Sequence, residues 1–204
     1  MSEKNYPEGW ARYVALMNSA DQAIPKELAV WAARFRAAKS FRGISLEGMS
    51  DDAEKGYFVG LKLTLVDTAL EAFERAIGLP PGDLGFTDPD IGYDLWDSRE
   101  GELRAAVSAL ENKSMRNEIE EFLSSDADTC QESDLRVILR AFRHLTAHGN
   151  FNPSSAGVYT SVSYRELLLR LADCALEVCE SAFQDEFLDA EDDVDEEITV
   201  TVNS

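Results

Sequence analysis

Residues 50–78, SDDAEKGYFVGLKLTLVDTALEAFERAIG, decide the fold class of this chain. Apolar side chains recur in this segment in alternating steps of four and three residues. They occupy one face of a helix with about 3.6 residues per turn. Ser50 is suited to the N-cap position and Gly78 to the C-terminal stop. The segment therefore predicts a long amphipathic helix whose buried face is formed by Val59, Leu63, Val66, Leu70, Phe73 and Ile77.

The same helical spacing continues on both sides of this segment. Capping boxes at Thr129–Glu132 and Ser163–Glu166 predict the starts of two further long helices. Residues 79–98 are rich in Pro, Gly and Asp, which predicts a loop that either acts as a lid or packs down on the core. The chain is thus expected to be an all-α bundle with long antiparallel helices. Residues 1–188 would form one domain, followed by an acidic tail over residues 189–204.

Charge and composition restrict the classes of function. The chain has 19 Lys and Arg against 39 Asp and Glu, a net charge of −20, and such a field repels nucleic acid. Any RNA contact therefore needs a local basic patch. No long apolar run or secretory signal is present, so we expect a cytoplasmic protein without a membrane span. Three cysteines without CxxC spacing favour free thiols over a disulfide. The candidate basic patches are Arg34, Arg36, Lys39 and Arg42, and Arg136, Arg140 and Arg143.

Both histidines of the chain fall in one short segment that begins at Arg143 and contains His144 and His148. Histidine exchanges protons near neutral pH, and arginine is shaped to grip phosphate. In a helix, these histidines would continue a row that starts at Arg136 and Arg140, away from the apolar face. The row is either a solvated basic face, with the histidines near the last carbonyl groups, or a proton-transfer site. Neighbouring carboxylates or thiolates are missing, so no metal and no cofactor are predicted.

The stretch VILRAFRHLTAHGNFNP, residues 137–153, resembles the signature of the HEPN superfamily, Arg-x(4–6)-His. Arg143 and His148 match this pattern with four residues between them. His144 fits the polar residue that often follows the arginine, and Gly149 fits the glycine after the histidine. The resemblance is sharp over residues 135–180 and concerns only the helical layout elsewhere.

What the resemblance implies is a dimeric helical bundle that is often a metal-independent endoribonuclease. His148 would act as acid and base, Arg143 as the phosphate clamp and His144 as a second proton carrier or a brace. Arg140 and Arg136 would add substrate contacts, and Asn150 would bind substrate or hold His148. The family implies a role in prokaryotic defence or in a toxin–antitoxin pair, with an antitoxin or regulatory protein as partner. Many members have lost catalysis, so the alternative is an interaction module that binds a nucleotide or a protein partner.

Overall fold

The structure, a computed structural model, describes residues 5–108, 110–148 and 161–189. Within these ranges the chain is helical and contains no strand, which confirms the predicted all-α class. The acidic tail from residue 190 onward lies outside the described residues. The helices are α1 (Trp10–Ser19), α2 (Lys26–Ser40), α3 (Asp51–Ala76), α4 (Pro89–Tyr93), α5 (Glu100–Val107), α6 (Lys113–Ser124), α7 (Ala127–Glu132), α8 (Arg136–Ala147) and α9 (Val162–Gln184), with π-helical turns at Asp94–Ser98 and Asp185–Asp189.

α3 is the central helix of the bundle, as residues 50–78 predict. The Ser50 hydroxyl accepts a hydrogen bond from the Ala53 backbone N–H at 3.3 Å, and Gly78 ends the helix with a φ of 77°. A φ of this sign is open to glycine at little steric cost. The apolar stripe faces the core, with Ile77 half-buried at its end. α3 packs against α2, α8 and α9.

The aromatic core lies where α2, α3 and α9 meet. The indole of Trp31, on α2, is fully buried. Its ring centroid is 4.7 Å from that of Phe73 and 4.9 Å from that of Phe183. Large aromatic side chains at these separations contribute much of the buried apolar area of a small domain. This contact fixes α2 and α9 against the second half of α3.

The long helices do not all alternate in direction. α2 runs antiparallel to α3, because Phe41 meets Phe58 at one end and Trp31 meets Phe73 at the other. α9 runs in the same direction as α3. Ion pairs along these two helices join Asp52 to Arg165 at 3.6 Å and Lys62 to Asp173 at 3.8 Å.

Both predicted capping boxes are wrong in register. Thr129 lies inside the short helix α7, where its backbone N–H donates to the Asp126 carboxylate at 2.8 Å. α8 begins only at Arg136. Ser161, two residues before the predicted cap, accepts from the Tyr164 N–H at 3.3 Å and starts α9. At both helix starts, a residue N-terminal to the predicted cap accepts the hydrogen bond from a first-turn N–H, Asp126 for α7 and Ser161 for α9.

The segment predicted as a loop over residues 79–98 is helical in its second half and packed onto the bundle. Asp88 caps α4 by accepting from the Ile91 N–H at 2.9 Å. Gly92 permits a close approach of α4 to α7, since a Cβ there would stand 2.5 Å from the Cys130 carbonyl oxygen. Phe86 is buried, and the Trp96 indole donates to the Ser125 carbonyl at 3.1 Å. These contacts favour a packed segment over a free lid. The sequence patterns also did not predict α1.

The cysteines are free thiols, as predicted. Burial raises the pKa of Cys174 to about 11 and that of Cys179 to about 12. Burial also raises the pKa of Cys130. Thiolates are the reactive form, so these side chains are poor nucleophiles at neutral pH.

None of the helices in the described ranges combines the length and apolar character that a membrane crossing requires.

Candidate functional site

The candidate site lies at the C-terminal end of α8, where His144 is in the last turn and His148 follows directly after the helix. α8 ends at Ala147, and the backbone N–H of His148 closes the last turn by donating to the His144 carbonyl oxygen at 3.1 Å. The His148 side chain is exposed, and that of His144 is half-buried. The opposite face of the helix is fixed in the core by Ile138, Leu139, Ala141, Phe142 and Leu145.

The two histidine rings are in contact. Their centroids are 4.3 Å apart, with an angle of 44° between the ring planes. Residues four apart on a helix lie on the same face, so the sequence spacing accounts for the contact. Two adjacent imidazoles, one more exposed than the other, form a pair in which one can take a proton while the other gives one.

Arg143 is anchored to α3 by two carboxylates. One terminal nitrogen, NH1, donates to Asp67 Oδ2 at 2.9 Å and also to Glu71 Oε1. Burial disfavours the guanidinium charge, but the hydrogen bonds to Glu71 and Asp67 and their negative charges raise the pKa of Arg143. The side chain is 34% exposed. Arg143 is therefore a permanent cation that is held from inside and open to solvent on the outside.

Arg136 does not lie on the exposed row that the sequence predicts. Its side chain is 1% exposed and enters the core beside α3. Nε donates to Asp67 at 2.7 Å, and NH1 donates to Glu74 at 3.1 Å and to the Leu84 carbonyl at 3.1 Å. Charged side chains are rarely buried unless they are paired, and here the carboxylates of α3 provide the pairing. The predicted substrate contact of Arg136 is incompatible with this position.

Three carboxylates on one side of α3 were missed at the sequence level. Asp67, Glu71 and Glu74 are spaced by four and three residues, beside the apolar stripe. Asp67 and Glu74 are fully buried, while Glu71 is 27% exposed. A row of acids at helical spacing next to buried positions indicates cationic partners on a neighbouring helix. That signal was present in residues 50–78.

The first part of the segment after α3 is tied to the same network. Glu74 Oε1 accepts from the backbone N–H groups of Gly82 and Leu84, both at 2.9 Å. Asp134 accepts from the Phe86 N–H at 3.0 Å and from the Arg136 N–H at 2.9 Å. Residues 82–86 are therefore fixed between the end of α3 and the start of α8.

Arg140 and Asn150 complete the predicted site residues. Arg140 is exposed on α8, and its NH1 lies 3.5 Å from where a Cβ on Gly82 would stand. It has no ion-pair partner among the described residues. Asn150 lies outside the described residues. The structure therefore brings His144 and His148 into contact at the end of α8. Arg143 lies one residue before His144 and is turned toward α3, and Arg140 lies one turn before His144.

The grooves described in the structure lie away from the histidine end of α8. A groove of about 530 Å³ runs between the starts of α3 and α9, where Arg42, Phe58 and Arg165 line it. None of its lining residues belongs to α8. Across the described ranges, no group of three or more His, Cys, Asp or Glu side chains is arranged to hold a metal ion.

Comparison of the chain with protein-family models, with curated proteins and with solved structures found no match.

Proposed function

We propose that this chain is a metal-independent endoribonuclease of the HEPN type. The observation that supports this most is the contact between its two histidines beside a partly exposed arginine. The rings of His144 and His148 are in contact at the end of α8, and Arg143, the residue before His144, is anchored to α3. Proton carriers and a fixed cation are the groups that cleavage of a phosphodiester requires.

The proposed reaction is an attack of the ribose 2′-oxygen on the adjacent phosphorus. A histidine takes the 2′-OH proton, and the bond from phosphorus to the 5′-oxygen breaks as that oxygen receives a proton. His148 is the acid–base residue, and His144 is the second proton carrier or a brace for it. Arg143 binds the non-bridging oxygens, whose negative charge grows in the phosphorane-like transition state. The products are a 2′,3′-cyclic phosphate and a 5′-hydroxyl group.

Cleavage of total RNA by the purified protein is expected to be equally fast with and without EDTA. The reason is that the proposed proton carriers are side chains and the proposed counter-charge is Arg143, so no step needs a divalent ion. The measurement is gel analysis of the RNA, with phosphatase and kinase treatment to identify the 2′,3′-cyclic phosphate ends.

Two outcomes of that assay would contradict the mechanism. Activity that disappears in EDTA and returns with Mg²⁺ would show a metal-dependent reaction. Ends that carry a 5′-phosphate would show that water, and not the 2′-oxygen, attacks phosphorus. His148→Ala, purified in the same way, controls for contaminating nucleases.

The proposed enzyme is a homodimer. The resemblance implies a dimer in which the motif helices of two copies meet and form the cleft that encloses RNA. A second copy placed on a two-fold axis next to Arg143 and His148 would supply the other wall.

Light scattering at micromolar concentration is expected to give twice the 22.6 kDa mass of one chain. A cysteine at exposed Ala147 on α8 should cross-link across the axis under oxidation, since it lies beside the proposed axis. The matched control is a cysteine at exposed Glu121 on α6, which should not cross-link. A monomeric mass, or a dimer that cross-links through residue 121 alone, would contradict this assembly.

The second candidate function is a non-catalytic interaction module. The double ion pair of Arg143 with Asp67 and Glu71 favours it, because a phosphate must approach an arginine that already faces two carboxylates. The net charge of −20 acts in the same direction. In this case the site would bind a nucleotide or an acidic group of a protein partner and leave RNA intact.

The biological setting belongs to the same proposal. A ribonuclease of this type in the cytoplasm would act in prokaryotic defence or as the toxin of a toxin–antitoxin pair. An antitoxin or regulatory protein would then be needed to keep the exposed His148 from cellular RNA. Copurification with such a partner, followed by inhibition of cleavage in its presence, tests this setting.

A further inference from the structure

We propose that Asp67 is a positioning residue that holds Arg143 by one nitrogen and turns its free edge toward an oxyanion. This inference rests on the proposed function, since it assigns a role to a residue behind the same site. This role differs from simple packing, because NH1 of Arg143 anchors the side chain while its Nε and NH2 edge remains free to bind an oxyanion.

Both oxygens of Asp67 are occupied, each by a different arginine. Oδ1 accepts from Arg136 Nε at 2.7 Å, and Oδ2 accepts from Arg143 NH1 at 2.9 Å. The Asp67 side chain has no exposed surface. Its carboxylate cannot rotate without breaking a buried hydrogen bond, so it is a rigid anchor for Arg143.

Arg136 makes this anchor stable. It is buried and supplies the positive charge that the Asp67 carboxylate needs inside the core. Arg136 is itself fixed by Glu74 and by the Leu84 carbonyl oxygen. The orientation of the site arginine is therefore set by contacts that reach back into the bundle.

The Arg143 guanidinium divides into an anchored end and a free edge. The NH1 nitrogen has two N–H groups, and the two carboxylates of Asp67 and Glu71 accept from it. Its Nε and NH2 nitrogens donate to no residue in the described ranges. These two nitrogens form an edge that can bind two oxygens of one phosphate at once.

The two possible roles of the carboxylates around Arg143 predict opposite changes in the rate of cleavage when one carboxylate is removed. If the carboxylates merely neutralise Arg143, removing a negative charge should strengthen anion binding and speed cleavage. If Asp67 positions the free edge, its removal lets the guanidinium turn and slows the reaction. Small losses of alignment in a site of this kind reduce rates by about 10²-fold.

The test compares Asp67→Asn with Glu74→Gln. Both changes remove one buried carboxylate charge from the same network, but only Asp67 contacts Arg143. Asp67→Asn should lower kcat by about 10²-fold with a smaller change in KM. Glu74→Gln should lower kcat by clearly less than Asp67→Asn does, because Glu74 reaches Arg143 only through Arg136 and Asp67, although this variant also loses stability. Equal kcat losses in the two variants, or faster cleavage by Asp67→Asn, would overturn the proposal.

A second readout does not depend on cleavage. In ¹⁵N NMR spectra of the whole protein, hydrogen bonds at NH1 slow the rotation of the Arg143 guanidinium and separate its two terminal nitrogen signals. Inorganic phosphate should shift the Nε–H signal of Arg143 in the wild type. Asp67→Asn should merge the terminal signals and reduce that shift. An unchanged spectrum in Asp67→Asn would refute the positioning role.

The two readouts separate this inference from the proposed function. A wild-type protein that cleaves no RNA, but shows the ordered Arg143 and its phosphate response, would refute the ribonuclease and keep the positioning role. If Asp67→Asn does not fold, Glu71→Gln replaces it, since that carboxylate is 27% exposed and also contacts NH1. In Glu71→Gln the Asp67 anchor remains, so the two terminal nitrogen signals of Arg143 should stay separated. Merged signals in that variant would show that Glu71, and not Asp67, holds Arg143, and would overturn the proposal.

Discussion

Replacing His148 with alanine is expected to lower the rate of RNA cleavage by about 10²–10⁴, the usual contribution of a positioned acid–base residue. The fold should persist. The His148 side chain is exposed, and its hydrogen bond to α8 is made by the backbone N–H, which alanine retains. Single-turnover cleavage in EDTA measures the rate, and far-UV circular dichroism with thermal melting measures the fold.

Substitutions along α8 provide the controls for this result. Arg143→Lys should be as inactive as Arg143→Ala, because lysine keeps the charge but lacks the planar edge. Arg140→Ala, at an exposed position on the same helix, should weaken RNA binding without removing cleavage. His144→Ala should have the milder effect if His144 only braces His148. A His148→Ala protein that cleaves at the wild-type rate would rule out the proposed mechanism.

The largest loss of stability is expected for Arg136→Met. This change removes the cation that compensates two fully buried carboxylates, Asp67 and Glu74. Breaking a buried ion pair in this way costs about 3–5 kcal/mol, a large share of the 5–15 kcal/mol that holds a typical domain together. Urea denaturation followed by circular dichroism measures the free energy of unfolding.

Arg140→Met is the matched control, since it makes the same chemical change at an exposed position of α8. Exposed substitutions usually change the free energy of unfolding by no more than about 0.5 kcal/mol. Arg136→Met combined with Glu74→Leu should recover part of the loss, because the double change leaves one fewer unpaired charge. It cannot recover all of it, since Gly82 and Leu84 lose their acceptor. Equal stability of Arg136→Met and Arg140→Met would refute the structural role of Arg136.

The central helix could be predicted from the sequence because all the information that defines it is local. The apolar stripe from Val59 to Ile77 repeats at helical spacing, and Ser50 and Gly78 mark both ends. Each of these signals depends on residues within one or two turns of one another. The grouping of Arg143, His144 and His148 on α8 could be predicted for the same reason.

The position of Arg136 could not be predicted in this way. The residues that bury it are far away in the chain, and its bond to Asp67 spans 69 positions. Helical periodicity places charged side chains on the exposed face of the helix, and it cannot show a buried carboxylate partner that lies far away in the sequence. Helix starts were also displaced, because several residues near Asp126 and Ser161 can cap a helix and only packing selects among them.

The shared use of Asp67 has a consequence for how such a protein could change over time. One carboxylate compensates a core arginine and also holds the arginine of the site. In copies of the gene that lost the proposed RNA cleavage, His144 and His148 would be free to change, since neither is buried in the core. The same copies would still be selected to keep Asp67 and Arg136, because the loss of either leaves a buried charged group without one of its hydrogen-bond partners. Retention of the two buried residues in a descendant would therefore report on folding, and only the histidine pair would report on chemistry.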